Sequence, residues 1–303
     1  MEHEPRPHAH GSQHPHPDHS GQHGHHADEA AAPDLAELLD LDAEVMHEQL
    51  ADLITWLDEL AGGVPPRRIL DLGSGTGTGS FALLQRFPQA EAVAVDGSAQ
   101  MLRHLTGRAG DLGLADRIHT VEADLDAGLP DTGAVDLVWA SASLHHLADP
   151  DRTLGEVRSA LRPGGLLLVI EMDSFPRFLP DDLGIGRPGL EARCHALLDQ
   201  RRAAELPHMG SDWGTRLARA GFAVEAERPF AVDLKPPLPA AVGRYAQASL
   251  RRMRSGLDGR LDAEDLAALD ALVGDGPESV LLRDDLTLRN ARTVLAARRP
   301  TEA

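Results

Sequence analysis

The strongest constraint on the fold is the alternation of short apolar runs with helical segments between residues 68 and 172. The apolar runs read RILDLG, AEAVAVD, RIHTVEAD, AVDLVWAS and GGLLLVIEM. Runs that are apolar on both faces and separated by helices predict a parallel sheet that is covered on both sides. The crossovers between such strands are right-handed. The sequence therefore predicts a doubly wound α/β fold, with AVEAERPF and ARTVLAARR as two later strands.

Other segments lie outside this alternation. We expect a domain over 34–303, with core elements at 68–172, 211–232 and 289–299 and helical lid insertions at 34–62, 173–210 and 236–283. Residues 1–33 are rich in His, Pro and Gly and nearly free of apolar side chains, which predicts a disordered tail. Its scattered imidazoles can bind a divalent metal adventitiously. We predict no metal site elsewhere.

The charge balance argues against two classes of partner. The chain carries 48 acidic and 29 basic residues, a formal net charge of −19. Such a surface repels phosphate backbones and anionic lipids, so we predict neither nucleic acid nor membrane as a partner. A single cysteine, Cys194, excludes an internal disulfide and suits a reducing compartment. Because the sequence has no long apolar run and no apolar signal core, we expect a cytoplasmic location.

The segment LDLGSGTGTGS, residues 70–80, places four glycines between the first strand and the following helix. Glycine allows positive φ and a close approach of the backbone to a ligand. Amide donors at a helix start favour an anionic group, which predicts a carboxylate or phosphate ligand. The dinucleotide fingerprint needs a glycine five residues after its first. Thr78 and Ser80 occupy that position when the count starts from Gly73 and Gly75, so neither register fits.

LDLGSGTG resembles the first motif of class I S-adenosylmethionine-dependent methyltransferases, and the resemblance extends over residues 68–172. It implies a Rossmann-like, mostly parallel seven-stranded sheet and S-adenosyl-L-methionine as the cofactor. It also implies that Asp71 orients the loop and the ammonium group of the cofactor. The loop residues expected to wrap the methionine part are Gly73, Ser74, Gly75 and Gly77.

The end of the second strand extends the predicted cofactor site. Asp96, followed by Gly97, can accept hydrogen bonds from both ribose hydroxyls. The alternative for Asp96 is a helix N-cap, but Ser98 already suits that role. Met101 resembles the family's apolar contact to adenine or ribose, and it suits a core methionine equally well.

The third and fourth strands end in further candidates. By the resemblance, Asp124 accepts from the adenine amino group, Leu125 supplies a backbone amide and an apolar face, and Ser141 meets the cofactor near its methyl group. His145 and His146 follow at the expected mouth of the pocket. Imidazole titrates near neutrality, so either ring can take a proton from a hydroxyl or an amine. The alternative is that they cap or pack.

Two acids end the fifth strand region, and three lid residues are candidate substrate contacts. Glu171 and Asp173 steady a histidine or a cationic substrate in one interpretation and are solvated acids in the other. Trp213, Tyr245 and Arg252 contact substrate in one interpretation and belong to ordinary packing or surface in the other.

The sequence thus predicts an enzyme that moves a methyl group to O, N or C of a small molecule by in-line displacement. Because a sulfonium donor is already activated, the protein must mainly align the reactants and exclude water. The alternative is a metal-handling or regulatory protein with a secondary methyltransferase-like domain.

Overall fold

The computed structural model describes residues 32–301. The predicted tail and its metal affinity therefore lie outside the described residues, except at its last two positions. Those two residues belong to the first helix, which begins at Ala32 rather than at the expected residue 34.

The described elements follow the predicted alternation. The strands are β1 (Arg68–Leu72), β2 (Glu91–Asp96), β3 (Ile118–Glu122), β4 (Val135–Ser141), β5 (Leu161–Met172), β6 (Ala223–Leu234) and β7 (Leu288–Arg298). The helices are α1 (Ala32–Val45), α2 (His47–Leu60), α3 (Thr78–Arg86), α4 (Ala99–Asp111), α5 (Pro150–Ala160), α6 (Leu190–Glu205), α7 (Trp213–Arg219), α8 (Ala240–Gly256) and α9 (Ala263–Val273).

The strands form one seven-stranded sheet in the order β3-β2-β1-β4-β5-β7-β6. The first five strands are parallel, and β7 runs antiparallel to both of its neighbours. This confirms the predicted fold class. From β1 the strands follow one another outward to β3 on one side, and from β4 they continue on the other side. The carboxyl ends of β1 and β4 therefore form the switch point where ligands bind in doubly wound sheets.

Helices cover the two faces of the sheet in separate groups. Apolar residues of α2, α3 and α4 pack on one face, and those of α5 and α7 pack on the other. Trp139 of β4 reaches the first face, where a Cβ built on Gly79 of α3 would lie 2.4 Å from its indole nitrogen. The fourth glycine of the motif therefore gives α3 room to lie against the sheet.

A third apolar cluster lies at one edge of the sheet and joins α1, α6, α8 and α9. It includes Phe178, which follows β5, and Val232, near the end of β6. It also includes Leu288, which begins the antiparallel β7. All three positions lie at the edge where the parallel strands end. The segments expected to form a lid therefore share one core at the carboxyl edge, except for α2 of the 34–62 segment, whose apolar residues cover a face of the sheet instead.

Candidate active site

The glycine loop is anchored to the first strand by Asp71. Its side chain is 2% exposed, and its Oδ2 accepts from Ser80 N at 3.1 Å and Ser80 Oγ at 2.6 Å. These bonds tie the end of β1 to the start of α3. Burial raises the pKa of Asp71 to about 6; the Ser80 hydrogen bonds oppose the shift and nearby Asp96 adds to it. Asp71 thus links the two ends of the loop, and its expected contact with the ammonium group of the cofactor stays a prediction.

Gly73 lies where two loops meet. Its φ is +65°, and a Cβ built on it would lie 2.5 Å from Ser143 Cβ in the segment after β4. Ala142, just before Ser143, has a φ of +51°, which is uncommon for a residue other than glycine. The exit of β4 therefore packs directly onto the glycine loop. The sequence motif did not indicate Ser143, because this contact depends on strand order.

Asp96 faces the same loop from the end of β2. Its Oδ2 accepts from Gly75 N at 2.8 Å, and its Oδ1 accepts from Ser98 N at 2.8 Å. Ser98 is the N-cap of α4 and accepts from Met101 N at 3.3 Å, as predicted. Asp96 is thus not needed as the cap, and its half-buried carboxylate lies against the loop.

The remaining predicted cofactor residues occupy the expected strand ends. Gly97 is exposed, whereas Met101 is 4% exposed, a burial that suits a core methionine. Asp124 is exposed and its Oδ1 accepts from Asp126 N at 2.9 Å, while Leu125 is buried. Ser141 is half-buried and ends β4, in register with Ile170 of β5. The structure brings the predicted set to one edge of four neighbouring strands. The set consists of Asp71, Gly73, Ser74, Gly75, Gly77, Asp96, Gly97, Met101, Asp124, Leu125 and Ser141.

Buried hydroxyl groups without protein partners lie in and beside the loop. Within residues 32–301, Ser74 Oγ, Thr78 Oγ1 and Ser143 Oγ make no hydrogen bond. Buried polar atoms normally have a partner, so the group indicates a polar ligand or ordered water. A sulfonium nucleoside with an amino-acid end suits this donor set, since its carboxylate and hydroxyls can pair with hydroxyls and backbone amides.

Helix α1 covers the loop. Leu39 Cδ1 would lie 3.2 Å from a Cβ built on Gly75. The next residue, Asp40, accepts from His104 Nε2 at 2.8 Å and pairs with Arg108, both on α4. The N-terminal helix was expected to belong to a lid, and its contact with the loop adds Leu39 to the candidate site.

The two candidate catalytic histidines differ in environment. His145 is 2% exposed, and its Nδ1 lies 2.5 Å from Glu171 Oε2. The other carboxylate oxygen of Glu171 accepts from Leu144 N at 2.9 Å. His146 is exposed, and its ring centroid lies 4.3 Å from that of His145. Of the two interpretations offered for Glu171, the structure favours the one in which it holds a histidine.

Other candidates make contacts that the sequence left open. Asp173 accepts from Thr293 Oγ1 at 3.0 Å, and Trp213, the first residue of α7, packs in the core. Arg252 is exposed. Cys194 is fully buried in the third cluster, and burial raises the pKa of its thiol to about 11. Across the described positions, no group of three or more His, Cys, Asp or Glu side chains is placed to hold a metal ion.

Comparison with known proteins identifies the family. A profile described as a methyltransferase domain matches residues 69–165. The trans-aconitate 2-methyltransferase of Acidovorax sp. strain JS42 is 30% identical over 227 residues, 68% of this chain and 85% of that protein. The malonyl-(acyl-carrier protein) O-methyltransferase of Laribacter hongkongensis is 32% identical over 192 residues, 60% of this chain and 59% of that protein. The chain thus spans little more than half of the second relative.

Among solved structures, the YcgJ protein from Bacillus subtilis aligns with a TM-score of 0.52 and 16% identity, covering 85% of this chain and 100% of that one. At this identity the likeness shows the fold alone. Fold and site together define a doubly wound domain with a ligand-binding glycine loop. The chain belongs to the class I S-adenosylmethionine-dependent methyltransferases, which confirms the resemblance drawn from LDLGSGTG.

Proposed function

We propose that the protein is an S-adenosylmethionine-dependent methyltransferase that acts on O, N or C of a small-molecule acceptor. The observation that carries the proposal is the pairing of the glycine loop with Asp96 at the switch point of the sheet. Both relatives described above carry names of methyltransferases for small or carrier-bound acids. In this proposal Asp96 binds the ribose hydroxyls, and Asp71 and the glycine loop hold the amino-acid end.

When bound, the cofactor would supply an activated methyl group on a sulfonium, which leaves as a neutral thioether, so the chain has to position the acceptor and exclude water. His145 is the proposed base. Because Glu171 accepts from Nδ1, it fixes the tautomer in which Nε2 is the proton acceptor. The exposed His146 ring lies beside this ring, with the two planes tilted by 36°. For an acceptor hydroxyl or amine, this arrangement removes the proton as the new bond to carbon forms.

Calorimetry on the full chain tests cofactor binding. We expect S-adenosylmethionine and S-adenosylhomocysteine to bind and NAD not to bind. Asp96→Ala is expected to weaken binding more than about tenfold, whereas Asp111→Ala, an exposed acid on α4, leaves it unchanged. Equal binding by the wild type and Asp96→Ala would remove Asp96 from the ribose, and binding of NAD alone would overturn the proposal.

A screen of cell-extract metabolites with labelled methyl donor tests the reaction and finds the acceptor. We expect His145→Gln and Glu171→Gln to lower turnover and shift its pH profile, with cofactor affinity retained.

The metal-handling alternative depends on a tail outside the described residues. Deleting residues 1–33 is expected to leave turnover unchanged. The cytoplasmic location expected from the sequence belongs to the same proposal. As a separate finding, none of the described helices has the length and apolar character needed to cross a membrane.

A further inference from the structure

A buried charged group at the carboxyl edge of the sheet takes no part in the proposed cofactor site. Arg292 of β7 donates from Nη2 to both carboxylate oxygens of Asp42 on α1, at 2.6 and 2.7 Å. Tyr245 of α8 donates its hydroxyl to the same carboxylate at 2.7 Å. The Arg292 and Asp42 side chains are 13% and 18% exposed, and Tyr245 is 3% exposed. Three elements far apart in sequence thus enclose one carboxylate.

This arrangement leaves donors of Arg292 unused. Both hydrogen bonds to Asp42 come from Nη2, and Nε is buried with no partner among the described residues. Guanidinium binds carboxylate best through two parallel hydrogen bonds from different nitrogens. A carboxylate presented to Nε and Nη2 together would therefore satisfy more of Arg292 than Asp42 does.

A second unsatisfied side chain lies beside it. Asn290 is two residues before Arg292 on the same face of β7 and is 4% exposed. Neither its Oδ1 nor its Nδ2 has a hydrogen-bond partner within the described part of the chain. Buried amides seldom remain unpaired. The strip of β7 formed by Asn290 and Arg292 therefore has several polar atoms that a polar ligand or ordered water could satisfy.

The strip adjoins the proposed site of chemistry. Arg292 is paired across the sheet with Met172 at the end of β5, and Thr293 is paired with Glu171. Glu171 is the residue that holds His145. Arg292 and Glu171 are offset by one register position and lie on opposite faces of the sheet, so an acceptor anchored at Arg292 would reach the proposed base over the carboxyl edge.

Asp42 leaves this position if α1 moves. Leu39, three residues earlier on the same helix, lies against the loop at Gly75, where the proposed cofactor binds. A ligand that displaced Leu39 and shifted α1 would carry Asp42, on the same helix, away from Arg292. A buried cation that loses its counter-charge is strongly destabilised, so a second carboxylate has to replace the first.

We propose that Arg292 and Tyr245 anchor a carboxylate of the methyl acceptor, and that Asp42 occupies this anchor when the cofactor is absent. The inference rests on the proposed methyltransferase function and narrows its acceptor to a carboxylic acid. In this inference Arg292 and Tyr245 bind the carboxylate of the acid, and Asn290 binds a further polar group of the same molecule.

The test separates this inference from the function it rests on. Binding of S-adenosylhomocysteine to the full chain is measured first, and failure there overturns the proposed function. The loaded protein is then titrated with succinate and benzoate, and with succinamide and benzamide as neutral analogues. We expect at least one acid to bind about tenfold more tightly than its amide. Loaded protein that binds neither acid, or binds acid and amide alike, overturns the inference.

Variants identify the anchor. Arg292→Gln is expected to weaken binding of the acid about tenfold, while Arg289→Gln, an exposed neighbour on the same strand, leaves it unchanged. Asp42→Asn is expected to tighten binding of the acid to the cofactor-free chain. Tyr245→Phe removes one donor and keeps the ring that packs on Phe178, so it tests the site even if Arg292→Gln fails to fold. Unchanged affinity in Tyr245→Phe and Asp42→Asn contradicts the assignment.

Discussion

Gly73 is constrained both by its backbone conformation and by the space around it. Its φ of +65° disfavours a side chain, and Ser143 occupies the place of a Cβ. Gly113 has the same backbone conformation, with a φ of +67°, but no atom within 4 Å of a Cβ built on it. An alanine at residue 113 therefore measures the cost of positive φ alone, whereas an alanine at residue 73 measures that cost together with the cost of crowding.

We expect Gly113→Ala to lower the free energy of unfolding by about 1 kcal/mol, the cost of positive φ alone. Gly73→Ala is expected to lower it by about 2 kcal/mol more, because the β4 exit must shift. It should also abolish binding of S-adenosylhomocysteine. Urea unfolding and calorimetry measure both effects, and equal losses in the two variants would show that Ser143 yields without cost.

Asp71 gives the proposed cofactor site a pH dependence. Its pKa is raised to about 6, so the carboxyl group is protonated in the cofactor-free protein below that pH. The cofactor carries positive charge and favours the ionised form. We expect its affinity to fall about tenfold between pH 7.5 and pH 5, measured by calorimetry. Asp71→Asn is expected to bind more weakly at pH 7.5 and to show a flat profile; a wild-type slope retained in this variant contradicts the assignment.

At the scale of elements, a buried carboxylate joins two lid helices. Asp265 of α9 is 3% exposed and accepts from Arg193 of α6 through Nε at 2.8 Å and Nη2 at 2.6 Å. Arg187, in the loop before α6, donates to it at 2.8 Å. The Arg193 guanidinium holds the pKa of Asp265 below its usual range, so this contribution to stability is present above about pH 4 and is lost at lower pH.

We expect Asp265→Ala to lower the free energy of unfolding by about 2–3 kcal/mol, because it leaves two guanidinium groups without their shared acceptor. The exposed pair of Arg254 and Asp270 provides the control. Asp270→Ala is expected to cost less than about 1 kcal/mol. Chemical denaturation at pH 7 measures both variants, and equal costs would mean that solvent screens the two sites alike.

At the scale of the whole molecule, His195 affects stability against acid. It lies on α6 and is 3% exposed, with Nε2 unpaired among the described residues. Burial, followed by Arg177 and Arg202, lowers its pKa to about 4. The unfolded chain binds this proton near pH 6.5 and the folded chain does not, so stability falls as pH drops from 6.5 towards 4.

His195→Gln removes this proton and is expected to reduce the loss of stability between pH 7 and pH 5 by about 1–2 kcal/mol. The raised pKa of Asp71 acts in the opposite direction, because protonation below about pH 6 relieves a buried charge. The difference between variant and wild type isolates His195 from this offset. Urea titrations at both pH values measure it, and parallel curves would contradict the inference.

The sequence by itself determined the parts that depend on local pattern. Strands that are apolar on both faces indicated the parallel sheet, and glycines between a strand and a helix indicated the ligand loop. The resemblance of LDLGSGTG to the family motif implied the role of Asp71, and the position of Asp96 followed from sheet geometry, since the ends of adjacent parallel strands meet at one edge. The cap at Ser98 was also local, because a cap bonds within one turn.

The tertiary structure decided the contacts between segments that are distant in the chain. Ser143 crowds Gly73, Leu39 covers Gly75, and Asp42 pairs with Arg292 across 250 positions. The sequence carries no local signal for such pairs, because an acid on a helix and an arginine on a strand are each ordinary surface residues until packing brings them together. The choice of partner depends on strand order and on how the lid helices pack, which are properties of the folded chain as a whole.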